Sequence, residues 1–283
     1  MSRRRPYLPP PESTVHLIGD VHIGGISPHR CQIVLDDLDK EMVPTTVAHI
    51  QLGDMTDLGT PEQDALALEW LKQLDAPWYN VLGNHDNFWR DASEWAAVYG
   101  WPSQNYTADL GFAKLIAVGP GEPSWGKLLR LSEETLRWLD HELTAAHGTD
   151  CIIACHAPLA ETVLGDDDIH YTSRMPEFQI HDNEAILEVL AAHPNAKAWI
   201  SGHTHSPIEV PGLITTKVVG GHKLAAINTS ALYYVGKRIT WTAPLITLYL
   251  TWLGDRAEVR FRNHGAGVWD GPHGLRVVDI DLS

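Results

Sequence analysis

Short runs of apolar residues alternate with longer amphipathic segments in the part of the sequence before about residue 205. A short apolar run bounded by turn residues is typical of a buried strand, and a longer run with apolar residues every three or four positions is typical of a helix. The predicted strands are residues 15–18, 47–52, 78–82, 114–118, 151–155 and 198–200. The predicted helices are residues 30–42, 61–74, 132–147 and 182–193. This alternation predicts an α/β fold.

The pattern changes after about residue 205, where strand-like runs follow one another and no long helix is predicted. These runs are residues 214–219, 225–229, 245–252 and 257–261. We expect them to complete a second sheet, from about residues 206–283, that packs on the first. Because no linker-like stretch intervenes, the sequence predicts a single domain, residues 13–283, after a disordered basic and Pro-rich segment, residues 1–12.

Polar residues that bind metals well in proteins follow five of the predicted strands. They are Asp20 and His22, then Asp54 and Asp57, then Asn84, His85 and Asp86, then His156, and last His203 and His205. In α/β sheets, ligand sites collect outside the carboxyl ends of the strands. A lone Gly-Asp or His-x-His is usually a turn or a surface pair, but five such clusters at successive strand ends predict one shared site.

Composition and charge exclude several alternatives. The formal net charge is −15, which weakens a general nucleic-acid-binding function but leaves a nuclease open. The three cysteines, Cys31, Cys151 and Cys155, form no disulfide framework and no Cys-x-x-Cys zinc motif. The late apolar run, residues 244–253, is about half the length that crosses a bilayer. The N-terminus has no apolar stretch of a secretory signal, so we expect a soluble, cytoplasmic protein without a membrane partner.

The clusters resemble the motifs of the calcineurin-like metallophosphoesterases. These motifs read DVH, GDMTD, GNHD, CHAP and GHTH, in this order, from Asp20 to His205. The resemblance implies two mixed β-sheets packed as a sandwich flanked by helices, a four-layer αββα arrangement. It also implies a binuclear metal centre, in which one metal is held by Asp20, His22 and His205, the other by Asn84, His156 and His203, and both by a bridging Asp54.

The donor set limits the metals and indicates a mechanism. Carboxylate and amide oxygens with several imidazoles suit Mn, Fe, Zn or Co better than Mg or Ca. The resemblance implies that a metal-bridging hydroxide attacks phosphorus, and that His85 contacts the phosphate or protonates the leaving oxygen. Alternatively, His85 only caps a helix that starts near Asn87. Asp86 is predicted to orient the His85 ring, and Asp57 either orients a ligand by a hydrogen bond or is an ordinary turn residue.

Departures from family patterns narrow the substrate class. Protein Ser/Thr phosphatases of the family carry Arg and Glu where this sequence has Leu58 and Asp86, and purple acid phosphatases carry a Tyr ligand where it has Asp57. The remaining resemblance is to the bacterial-type phosphodiesterases, which act on small or cyclic phosphodiesters. A metal-dependent nuclease and a non-catalytic binding scaffold are the alternatives.

Two loops carry candidate substrate contacts. Trp89 lies in residues 87–101, and Tyr171 and Arg174 lie in residues 161–179. Arg174 could clamp a phosphate, while Tyr171 or Trp89 could stack on a base. Packing and solvated-loop roles are the alternatives for all three. We expect a small-molecule phosphoester as the partner, with nucleic acid less favoured and homo-oligomerisation left open.

Overall fold

The computed structural model of the protein describes residues 12–40, 43–120, 129–166, 170–210, 212–233, 244–269 and 278–282. Its strands are β1 Ser13–Ile18, β2 Thr46–Gln51, β3 Trp78–Asn80, β4 Tyr106–Asp109, β5 Lys114–Val118, β6 Cys151–Cys155, β7 Ala196–Ser201, β8 Ile214–Val219, β9 His222–Asn228, β10 Ile246–Trp252, β11 Arg256–Asn263, β12 Val268–Trp269 and β13 Val278–Asp281. Its α-helices are α1 Pro28–Lys40, α2 Pro61–Leu71, α3 Ala92–Tyr99, α4 Glu133–Ala145 and α5 Asn183–Ala192. The predicted N-terminal segment lies outside the described residues, apart from Glu12.

The strands form two mixed sheets. One sheet has the order β12-β11-β10-β1-β2-β3, with β13 also paired to β11, and the other has the order β4-β5-β6-β7-β9-β8. Strands β1, β2 and β3 are parallel, as are β5, β6 and β7, whereas β10 runs antiparallel to β1. The predicted α/β fold with two mixed sheets is therefore confirmed.

Three apolar layers hold the fold together. The central one joins the inner faces of both sheets, with Leu17 and Ile50 from the first sheet against Ile152 and Ile200 from the second. The second lies between α4 and α5 and the outer face of the second sheet, and the third lies between α1, α2 and α3 and the first sheet. Full burial of each such side chain contributes roughly 1.5–3 kcal/mol. The order helix, sheet, sheet, helix is the expected four-layer arrangement.

Only some of the C-terminal strands, which we expected to complete the second sheet, lie in that sheet. Strands β8 and β9 extend the second sheet beside β7, but β10, β11, β12 and β13 extend the first sheet from the open edge of β1. The physical reason is that β1 pairs with β2 on one side only. Its other edge needs a hydrogen-bonding partner, which β10 supplies from Ser13↔Trp252 to Leu17↔Leu248.

Helix α3 falls in a segment that we predicted as a loop. Asp91 is its N-cap and accepts hydrogen bonds from the backbone N–H groups of Ser93 and Glu94, while the Glu94 side chain accepts from the Asp91 N–H. Gly100 ends the helix in a left-handed conformation with φ 79°. This capping box is visible in the sequence, and it starts a helix within the segment that we predicted as a loop. Among the described residues, no helix is both long and apolar enough to span a bilayer.

Candidate metal centre

The predicted ligands converge where the carboxyl ends of the parallel strands of both sheets meet. The backbone ties these ends together, because the His22 N–H donates to the Asp54 carbonyl at 2.9 Å and the Gly202 N–H donates to the His156 carbonyl at 2.9 Å. Across the two sheets, the His203 N–H donates to the Asp20 carboxylate at 3.0 Å. The strand ends of the sandwich therefore form one polar cluster.

One half of the cluster contains Asp20, His22, Asp54 and His205, all buried. The Nε2 atoms of His22 and His205 lie 3.2 Å apart, and His205 Nε2 lies 3.3 Å from Asp20 Oδ1. His22 Nε2 is 3.6 Å from Asp54 Oδ2. These are the predicted ligands of one metal together with the predicted bridging carboxylate.

The other half contains Asp54, His156 and His203, which are also buried. His156 Nε2 lies 3.3 Å from Asp54 Oδ2 and 3.1 Å from His203 Nδ1. The Asn84 Oδ1 atom is 3.1 Å from the same His156 nitrogen. The structure thus brings together all seven residues predicted as ligands, and Oδ2 of Asp54 belongs to both halves.

Hydrogen bonds to the far side of each ring decide which nitrogen faces the cluster. Nδ1 of His156 donates to the Leu52 carbonyl at 2.7 Å, and Nε2 of His203 donates to the Glu177 carbonyl at 2.8 Å. A carbonyl only accepts, so these two nitrogens each carry a proton, and His156 Nε2 and His203 Nδ1 are the nitrogens that face the cluster. Nδ1 of His22 donates to the Asp57 carboxylate at 3.2 Å, which likewise directs its Nε2 inward.

Imidazole nitrogens that face each other at short range can bind one cation between them. Two nitrogen ligands about 2.1 Å from one cation and roughly at right angles to each other are about 3 Å apart. The separations of 3.2 Å for His22 and His205 and 3.1 Å for His156 and His203 fit that geometry. The residues present therefore fit a metal ion in each half.

Strained backbone is concentrated in the cluster. Seven described non-glycine residues have positive φ, and five of them are predicted ligands with φ from 41° to 73°: Asp20, His22, Asp54, His203 and His205. Such conformations cost of order 1–3 kcal/mol each and persist where the surroundings impose them. Glycines make room for the crowding, since a Cβ on Gly83 would lie 2.1 Å from the Asp54 nitrogen.

The electrostatics of the cluster favour cation binding. Burial opposes ionisation of Asp54, but His156 and His85 outweigh it and hold the pKa of this carboxyl well below its ordinary value. Burial and the neighbouring His156 lower the pKa of His203 to about 4, so this ring is a neutral ligand. Burial would also lower the pKa of His156, but Asp54 raises it to about 9. A metal bound here would displace a proton from His156.

His85 borders the cluster without belonging to either half. Its ring lies 4.5 Å from the His22 ring, its Nδ1 donates to the Asp57 carbonyl at 2.8 Å, and its backbone N–H donates to Asp54 Oδ1 at 2.8 Å. The alternative role as the cap of a helix near Asn87 is wrong, because residues 84–87 form turns and α3 begins only at Ala92.

The prediction that Asp86 orients His85 is also wrong. The Asp86 carboxylate accepts hydrogen bonds from the backbone N–H groups of Met55, Thr56 and Gly83 and from the Thr56 hydroxyl, at 2.8–3.3 Å. It is fully buried, and burial together with Asp54 raises its pKa. Asp86 therefore joins the loop after β2 to the loop after β3, and the Asp57 backbone orients His85 instead.

A family model described as calcineurin-like phosphoesterase matches residues 13–207. The protein belongs to this family. Family membership supports the prediction of a phosphoester hydrolase and agrees with the order of the motifs, since the match spans all seven predicted ligands.

Two curated relatives of this phosphoesterase are named as phosphodiesterases. A probable glycerophosphodiester phosphodiesterase from Arcobacter nitrofigilis is 30% identical over 156 residues, which is 54% of each chain. A probable cyclic nucleotide phosphodiesterase from Synechococcus is 26% identical over 166 residues, 58% of this chain and 60% of that protein. The phosphoesterase thus matches less than two thirds of the length of either relative.

A solved structure shows a similar fold over the whole phosphoesterase. A dimetal phosphatase from Danio rerio superposes with a TM-score of 0.64 at 16% identity, covering 96% of this chain and 99% of that chain. At this identity the similarity establishes the fold alone, including the C-terminal strands that lie beyond the family match.

The candidate substrate residues lie at different places around the centre. The Tyr171 ring stacks on Phe178 at 4.3 Å, and Phe178 lies 5.4 Å from the His203 ring, so this loop reaches the ligands. Arg174 donates to the Gly165 carbonyl at 2.6 Å within the same loop. Trp89 is 71% exposed and packs on Phe88.

Sequence reasoning missed Tyr233 and two backbone carbonyls. The Tyr233 ring lies 5.1 Å from the His22 ring, at the end of a segment that follows β9 and pairs with Gly19 after β1. No motif surrounds Tyr233, so only the pairing of distant strands could have placed it. The carbonyls of Leu52 and Glu177 orient two ligands, but a backbone carbonyl has no signature in sequence.

Proposed function

We propose that this phosphoesterase holds two metal ions and hydrolyses small or cyclic phosphodiesters. The observation that carries the proposal is that Asp54 Oδ2 belongs to two separate buried ligand groups, 3.6 Å from His22 Nε2 in one and 3.3 Å from His156 Nε2 in the other. Two cations about 3.5–4 Å apart would supply a nucleophile from water at neutral pH and neutralise charge on the phosphoryl oxygens.

Each side chain then has a defined role. Asp20, His22 and His205 would hold one metal, Asn84, His156 and His203 would hold the other, and Asp54 would contribute to both. Asp57 and the carbonyls of Leu52 and Glu177 fix the imidazole tautomers. His85, with its Nδ1 proton on the Asp57 carbonyl, presents its opposite nitrogen for contact with the phosphate or for proton transfer to the leaving oxygen.

The diester preference rests on two features. Both curated relatives are named as phosphodiesterases, and the family's Arg and Glu markers of protein phosphatases are replaced by Leu58 and Asp86. The net charge of −15 disfavours a broad nucleic-acid surface.

Metal stoichiometry tests the two-metal site without an activity assay. We expect two ions per chain after reconstitution with Mn, Fe, Zn or Co, and a reduced content in His205→Ala. His141→Ala is the matched control, because the His141 side chain is 75% exposed and lies on α4. A single ion in the wild-type protein at saturation would contradict the proposal.

Three substrates separate the candidate functions. The reconstituted protein should cleave bis-p-nitrophenyl phosphate faster than p-nitrophenyl phosphate and should leave single-stranded DNA intact. Degradation of the DNA would indicate the nuclease alternative. Absence of activity on all three substrates with every metal tested, at full metal content, would indicate a non-catalytic binding scaffold.

A further inference from the structure

A chain of buried polar side chains lies on the outer face of the first sheet, away from the candidate metal centre. In β1, β2 and β10 the neighbours Leu17, Ile50 and Leu248 point into the core between the sheets, so the alternate positions point outward. Polar residues occupy those outward positions and continue to the surface at Asp75 and to the buried Asp37 on α1. The chain, named here the histidine network, runs in the order Asp75, His49, His16, Thr247, His264 and Asp37.

The first half of the histidine network starts at Asp75, which is 46% exposed. Asp75 Oδ1 lies 3.0 Å from His49 Nε2, and His49 Nδ1 lies 2.9 Å from His16 Nδ1. His16 Nε2 then lies 2.7 Å from Thr247 Oγ1. His16 is fully buried, and its other ring face stacks on Tyr249 at 4.4 Å.

The second half ends on helix α1. Thr247 Oγ1 lies 2.7 Å from His264 Nε2, and His264 Nδ1 lies 2.7 Å from Asp37 Oδ2. Arg262 also holds Asp37, with Nε 2.8 Å from Oδ2 and Nη2 2.6 Å from Oδ1. The network therefore has a carboxylate at each end, and one of these carboxylates already has a guanidinium partner.

Counting protons shows that the network is one proton short when its two carboxylates are ionised and its three imidazoles are neutral. It has five contacts of 2.7–3.0 Å, and each needs one proton between its two heavy atoms. The end carboxylates only accept. Three neutral imidazoles and one hydroxyl supply one proton each, which makes four. One contact would then join two lone pairs, a repulsive arrangement at these distances.

We propose that the histidine network is a binding site for one extra proton, which makes one of its three imidazoles an imidazolium. With that proton on His49, every contact has a donor and an acceptor. His49 donates to Asp75 and to His16, His16 donates to Thr247, Thr247 donates to His264, and His264 donates to Asp37.

The charges that face the network place the proton at the Asp75 end. Arg262 neutralises Asp37 and disfavours a second cation on His264, whose pKa burial lowers to about 4. Burial also holds the pKa of His16 well below its ordinary value, with His49 and His264 adding to the effect. Burial lowers the pKa of His49 as well, but Asp75 opposes it. The proton therefore binds at His49, on the acidic side of neutrality.

Binding of this proton would stabilise the packing of β1 and β2, the two strands that lead to the predicted metal ligands Asp20 and Asp54. His16 lies four residues before Asp20 on β1, and His49 lies five residues before Asp54 on β2. The same network joins β10 and α1 to these strands through Thr247 and Asp37. When the proton leaves, one of the five contacts loses its hydrogen bond. The network then holds β1, β2, β10 and α1 together less firmly.

Imidazole nitrogen NMR over a pH titration tests the proposal on the full-length protein. In the wild type we expect one of the three network histidines to acquire two protonated nitrogens as the pH falls from 8 to 5, while the other two keep one each. Asp75→Asn should abolish this change, because the Asn amide N–H can donate to His49 and supply the missing proton. The exposure of Asp75 makes this substitution compatible with folding.

Asp140→Asn is the matched control. Asp140 is also an exposed carboxylate paired with a histidine, His193, at 2.7 Å, but it lies outside the network. This variant should titrate as the wild type does. The proposal is overturned if all three network imidazoles stay neutral until the wild-type protein unfolds, or if Asp75→Asn retains the imidazolium.

Discussion

Single hydrogen bonds at the candidate metal centre control which atoms are available as ligands. Asp57 offers two acceptors, a carboxylate oxygen for His22 Nδ1 at 3.2 Å and a backbone carbonyl for His85 Nδ1 at 2.8 Å. Asp57→Ala removes only the first, so it should lower metal affinity about 10–100-fold and leave His85 in place. Competition with a chelator measures the affinity. Asp57→Asn keeps an oxygen acceptor, so its metal affinity should lie between those of the wild type and Asp57→Ala. An unchanged affinity in Asp57→Ala would contradict the proposal that Asp57 orients His22.

His85 should matter most for substrates with poor leaving groups. A p-nitrophenolate leaves without a proton, whereas an alkoxide needs one, so loss of a general acid affects the second far more. We expect His85→Ala to retain both metals and to lose about 10²–10⁴-fold in kcat on an alkyl diester. The measurement is the loss of kcat in His85→Ala on the alkyl diester, compared with its loss on bis-p-nitrophenyl phosphate. An equal loss on both would indicate that His85 binds the phosphate instead.

The sequence predicted that the seven proposed ligands would lie together, because each follows an apolar run within a short motif. The partners of those ligands could not. Asp86 stands beside His85 in the chain, yet its carboxylate turns to the backbone of Met55 and Thr56, about thirty residues earlier. Local order along the sequence says which side chains share a loop, but tertiary packing decides which of them touch.

At the scale of elements, a buried ion pair fixes α2 and α3 to the loop that carries His85. Arg90 pairs with Asp64 of α2 and donates through Nε to the Asp86 carbonyl at 2.8 Å, and Tyr99 of α3 donates to Asp64 at 3.3 Å. Arg90→Ala leaves a buried carboxylate and should cost about 3 kcal/mol in the free energy of unfolding. Urea unfolding of Asp64→Ala, Arg90→Ala and the double variant should show losses that do not add.

Periodicity predicted the strands and helices that flank the site, with ends shifted by a few residues. Periodicity did not predict α3, a helix of only eight residues. The signals for this helix are its capping residues Asp91, Glu94 and Gly100. Periodicity also could not choose a sheet for the last strands. The pairing of β10 with β1 joins residues more than two hundred positions apart, and neither strand encodes its partner in its own pattern.

At the scale of the whole molecule, the histidine network joins three strands, β2, β1 and β10, to helix α1. Its central ring, His16, is fully buried, and the pKa of His264 is lowered by burial to about 4 from an ordinary 6.5. A buried neutral histidine must take up a proton when the protein unfolds in acid. Acid should therefore weaken the fold even where no carboxylate titrates.

The sign and size of this effect follow from His264. Its pKa is lower in the folded state, so between pH 6.5 and 4 the unfolded state binds more protons; the stabilisation is complete above 6.5 and is lost as the pH falls toward 4. A shift of this size corresponds to roughly 3 kcal/mol. His264→Gln cannot titrate, so in metal-free protein its unfolding free energy should fall less steeply between pH 7 and 4.5 than that of the wild type. Parallel profiles in urea unfolding would show that His264 already carries its proton in the fold, and would place the extra proton at the Asp37 end of the network.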